Sequence, residues 1–97
     1  MTLLKRKRIS SEIEKKIIIG MVVSDIFCRE IKHMYQEEYF LNDYLRRISS
    51  WCMDYFSQYG KAPSRHIQDI YEVEKESLKP AESELIESLL SGLSEEY

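Results

Sequence analysis

Glycine and proline are scarce in this chain: three Gly and two Pro in 97 residues. A collagen, a flexible linker or a sandwich that turns every ~8–12 residues needs more of both. The glycines Gly20, Gly60 and Gly92 stand alone. A phosphate-cradling loop needs them clustered ahead of Lys-Ser or Lys-Thr and a helix, so the chain carries no such loop. Cysteine is equally sparse. Cys28 and Cys52 form no CxxC pair, and they read as two reduced, buried thiols that act as small core hydrophobes. Long apolar runs are missing as well. The longest, Ile17 to Val23, has seven residues, against the ~18 that a membrane span needs. A basic run ahead of an apolar segment has the outline of a signal peptide, but Ser11, Glu12 and Glu14 interrupt it. The expectation is a cytoplasmic protein with no membrane partner.

What remains is a chain with 43% hydrophobic and 32% charged residues. That suffices for one domain with a modest core. One Trp, seven Tyr and three Phe, with abundant Ile, Leu and Val, argue against disorder. The net charge is −3, so the chain as a whole is not a general nucleic-acid binder. Its halves differ. Residues 1–50 carry ten Lys/Arg and seven Asp/Glu, whereas residues 51–97 carry four and ten. Four of the positive charges form the run Lys5, Arg6, Lys7 and Arg8. These lie in a segment, residues 1–10, without hydrophobic period, read here as a flexible basic tail and as the candidate nucleic-acid contact.

Residues 11–97 read as a single all-α domain, a bundle of about five helices with short connections. Ser11-Glu12-Ile13-Glu14 has capping-box spacing, with Glu14 placed to reach back to the Ser11 amide. The first helix is expected over 12–23, with Gly20 permitting close approach by a neighbour. Ser24-Asp25 caps a second helix over 25–36, with Phe27, Ile31, Met34 and Tyr35 on one stripe. Phe40 sits in an aromatic connection pinned into the core. Asn42 caps a third helix over 43–59, whose stripe is Tyr44, Ile48, Trp51, Cys52, Tyr55 and Tyr59. Gly60 ends it in the left-handed conformation. After Lys61-Ala62-Pro63, Ser64 caps a fourth helix over 65–78. Lys79-Pro80 breaks it, and a fifth helix over 81–91 carries Leu85, Ile86, Leu89, Leu90 and Leu93 on one face.

No catalytic constellation emerges. Cys28 and His33 are five apart, an awkward angle for two ligands on one helix, and Cys52 and His66 belong to other elements. No Ser or Cys is placed beside a His with a third orienting group. Glu37-Glu38 reads as a solvated loop. No cofactor and no metal are expected. The aromatics at helical spacing read as core rather than as a base-stacking platform. Arg46-Arg47 reads either as a phosphate clamp or as the polar face of its helix.

The stretch from Glu12 to Asp25, with acidic residues, an aliphatic run around Gly20 and a polar end, resembles the opening helix of the N-terminal domain of DnaB-type replicative helicases. Tyr39-Phe40, Arg46 and Ile48, then Trp51, Asp54-Tyr55-Phe56 and Tyr59-Gly60-Lys61-Ala62-Pro63, resemble the third helix and Gly-to-Pro turn of that domain, especially in phage-type members. The likeness covers about residues 11–73, and the phosphate-loop motor of those helicases is absent.

This resemblance implies a non-catalytic helical head. In that family such heads self-associate through a following helical hairpin, as dimers and within a hexameric ring, and build the collar. The collar docks primase and works alongside a helicase loader, while the motor half hydrolyses ATP and moves on single-stranded DNA. Residues 81–97 then read as the start of the dimerising hairpin, with Leu85, Leu89 and Leu93 as its interface, or as a helix that simply closes the core. The alternative reading is a small stand-alone helical regulator that binds DNA or a basic protein partner through its charge asymmetry.

Overall fold

The computed structural model describes residues 11–35 and 40–93. Within them lie five α-helices and no strand: α1 Ser11–Val23, α2 Asp25–Ile31, α3 Asp43–Tyr59, α4 His66–Glu74 and α5 Pro80–Leu93. A single 3-10 turn, Lys75–Ser77, follows α4. None of these helices is long and apolar enough to cross a membrane. The basic run Lys5 to Arg8 lies outside the described residues.

The helix α3 is the axis of the molecule. Its amphipathic spacing buries Leu45, Ile48, Trp51, Cys52 and Phe56. Onto these close Ile18, Met21 and Val22 of α1, Cys28 of α2, Ile67 and Tyr71 of α4, and Ile86, Leu90 and Leu93 of α5. Phe40, just before α3, is buried as its aromatic character predicts. Both thiols are free and buried. Burial pushes the Cys28 thiol up to about 11, helped by the nearby Asp25 charge. Burial also holds Cys52 well above the ordinary thiol range, with Cys28 adding to it.

Several local readings hold. The Ser24 hydroxyl accepts from the Phe27 amide at 3.0 Å, an N-cap for α2. Gly60 has φ 73°, and its amide donates to the Phe56 carbonyl at 2.7 Å. Gly20 lies under the Phe27 ring, so close that a Cβ there would meet the ring at 2.9 Å.

Others are corrected or extended, some by a long-range partner. Glu14 is 1% exposed, and its carboxylate accepts from the Leu41 amide at 3.2 Å and the Asn42 Nδ2 at 3.1 Å. It therefore ties α1 to the start of α3. A buried carboxylate is tolerable there because it sits at the positive ends of two helices and accepts two bonds. Asn42 occupies the N-cap position of α3 but makes no side-chain cap bond. Ser64 is not a cap either. It has φ 51°, its amide donates to the Val22 carbonyl at 2.7 Å, and α4 starts two residues later. Helix α2 stops at Ile31 instead of 36, and α4 gives way to the 3-10 turn at Lys75.

Together these tethers set α1 and α3 side by side in the same direction, joined at one end by Glu14 and at the other by Ser64. A second bond locks the far end: the Ala62 amide donates to Asp25 Oδ1 at 2.8 Å.

Candidate interaction surface

The leucines of α5 divide between two faces. Leu93 is 1% exposed and packs with Ile86 and Leu90 into the core, so it is a closing residue and not an available interface. Leu89 is half-buried, and Leu85 is 49% exposed. The reason is helical geometry. Positions 86, 90 and 93 share one stripe, while 85 and 89 lie one residue round from it. Two of the three proposed interface leucines thus remain on the surface side of α5.

Those two leucines line an open trough of about 350 Å³, with Ile19 of α1, Tyr44 of α3 and Gly92 of α5 at its walls. Gly92 leaves the trough wide, since a Cβ built there would meet nothing within 4 Å. Lys15 stands at one edge. Tyr44 and Leu85 also border a larger groove of about 770 Å³ between α3 and α5. This groove is polar in its walls. Arg47 crosses it with a forked contact to Glu82, Nε to Oε2 at 2.9 Å and Nη2 to Oε1 at 3.4 Å.

The two arginines read as a possible phosphate clamp are already engaged. Arg47 is committed to Glu82, and Arg46 donates from Nε and Nη2 to the Phe40 carbonyl at 3.2 and 2.7 Å. Their positions are those of structural ties between α3 and its neighbours. His33 and His66 are both exposed. Among the described residues, no three His, Cys, Asp or Glu side chains converge as metal ligands would.

Sequence reasoning missed one feature of α3. Tyr59 was placed in the core stripe but is 56% exposed, and Tyr55 is half-buried. Their rings meet at a tilt of 44° with centroids 4.5 Å apart, and Tyr55 stacks on the His66 ring at 5.9 Å. Periodicity assigned the face correctly. It carries no information on whether another helix covers the end of that face.

No protein-family model matches the chain, and neither a curated protein nor a solved structure is significantly similar to it.

Proposed function

We propose that this chain is a helical head domain of the DnaB-type replicative helicase kind, or a free-standing relative of one, and that it works by protein contact and not by chemistry of its own. In this reading it self-associates through the trough on α5 and contributes to a collar that docks primase. Any ATP-driven movement on single-stranded DNA belongs to a separate motor domain. The observation that carries the reading is the trough itself. Leu85 and Leu89 are held on the surface side of α5 beside Ile19 and Tyr44, with Gly92 keeping the helix bare enough for another helix to approach. The family resemblance places helical self-association immediately after the head, which is where α5 lies.

Sedimentation velocity of the full chain over a wide concentration range is the direct test. The wild-type protein should form dimers or larger species. Leu85→Glu should weaken association by at least about tenfold, as an introduced charge in an apolar contact does. Because Leu85 is half exposed, its far-UV circular dichroism should not change. A wild-type chain that stays monomeric up to millimolar concentration, with no co-sedimentation of added primase, would remove the proposal.

A further inference from the structure

The open cleft between α3 and α4 sets aromatic rings beside carboxylates. It spans about 360 Å³ and is walled by Trp51, Tyr55 and Tyr59 with the carboxylates of Asp54, Asp69 and Glu74; among the described residues no Lys or Arg lines it. At several other places the protein supplies its own cations to rings and carboxylates. Lys32 stands over the Phe56 ring at 5.6 Å and Lys75 over the Tyr71 ring at 6.0 Å. Arg47 neutralises Glu82, Lys75 neutralises Glu72 and Arg46 stands by Asp43. In the cleft, neither Asp54 nor Glu74 has a cationic partner among the described residues. Asp69 has only His66, at 3.6 Å, which is a cation only when protonated.

The geometry points to a docking site for a Lys- or Arg-bearing peptide segment of a partner protein. A cation entering the cleft meets aromatic rings and the carboxylates of Asp54 and Glu74, which have no cationic partner among the described residues, and both attract it for separate reasons: the ring quadrupole and direct charge. The same carboxylates repel a phosphate backbone, so charge complementarity selects a basic peptide over a nucleic acid. The cleft meets the α3/α5 groove at the shared residues Trp51, Asp54 and Glu74, but Arg46, Arg47 and Lys79 line that groove, so the basic segment is confined to the cleft itself. This inference does not depend on the helicase reading.

Trp51 is the sole tryptophan and borders the cleft, so its fluorescence reports occupancy. An acetylated Lys-Arg-Lys-Arg peptide titrated into the full-length protein should give a saturable signal that weakens as salt rises. Asp54→Asn with Glu74→Gln should weaken binding about tenfold, and Tyr59→Ala should weaken it several-fold. All three residues are exposed, so these variants should retain the fold by circular dichroism. Glu84→Gln, exposed and outside the cleft, should bind as the wild type does.

Absence of saturable binding would overturn the inference. So would equal loss in Glu84→Gln, which would mean diffuse attraction to an acidic protein. Tighter binding of single-stranded DNA than of the peptide at this cleft would do the same. If Asp54→Asn with Glu74→Gln abolished self-association in low salt while Leu85→Glu left it unchanged, the occupant would be a second copy and the partner-protein assignment would fall.

Discussion

Trp51 shows how much a single side chain can hold in a domain of this size. It is 9% exposed, at the centre of α3, and touches the core on one side and the grooves on the other. Truncating a buried ring of this kind removes about 3–5 kcal/mol. Small domains have total stabilities of about 5–15 kcal/mol, so Trp51→Ala should leave a partly unfolded protein, measurable as a shift in urea midpoint followed by circular dichroism. A loss near 0.5 kcal/mol would mean that the ring serves the surface instead of the core. The two thiols set a pH limit at the same scale. Unfolded, they ionise from the ordinary value of 9.0, whereas the folded Cys28 thiol holds its proton to about 11. The folded state binds more protons in that window. Its stability is therefore complete below pH 9 and is lost as pH rises towards 11, by on the order of 2 kcal/mol for Cys28. Urea midpoints measured from pH 7 to 10.5 should show the decline. Cys28→Ala should flatten it relative to the wild type.

Single elements were set partly by local chemistry and partly by distant partners, and two residues at helix starts separate the causes. Ser24 caps α2 through its own hydroxyl. Ser24→Ala should cost about 1 kcal/mol, the usual value of a lost N-cap. Asn42 has the same position on α3 but donates to Glu14 instead. Asn42→Ala should cost about 1–3 kcal/mol, because it leaves a buried carboxylate short of a donor. A double-mutant cycle with Glu14→Gln distinguishes the mechanisms. Asn42 should couple to Glu14, and Ser24 should not. Equal coupling for both would contradict the assignment.

At the scale of the whole molecule, the five-helix bundle was legible because each helix carries its own signal. The Ser24 cap, the Gly60 stop and the oily stripe of α3 are local, and local signals survive folding. Gly20 was legible for the same reason, as bare backbone in an apolar run invites a neighbour. What the sequence hides most is a group whose partner lies far along the chain. Nothing local marks Glu14 as the acceptor for residues 41 and 42, 27 and 28 positions away. Ser64 stood where a cap belongs, but its bond to Val22 fixes it in a left-handed conformation ahead of the helix. The α5 leucines were half legible: their repeat was plain, but which of them face inward depends on how the helix is rotated against α3. Of the α3/α4 cleft, the Trp51, Tyr55 and Tyr59 stripe of α3 is plain in the sequence, but Asp69 and Glu74 join it only when α4 packs alongside.

The inward face of α5 has one more consequence, for synthesis. Ile86, Leu90 and Leu93 complete an interior whose other walls are all made earlier. A nascent chain that has released everything up to Lys79 from the ribosome has most of its contacts but lacks the α5 side of its interior. Until α5 is released as well, that opening stays greasy and adhesive. A chain ended at Lys79 should then aggregate far more than the full chain.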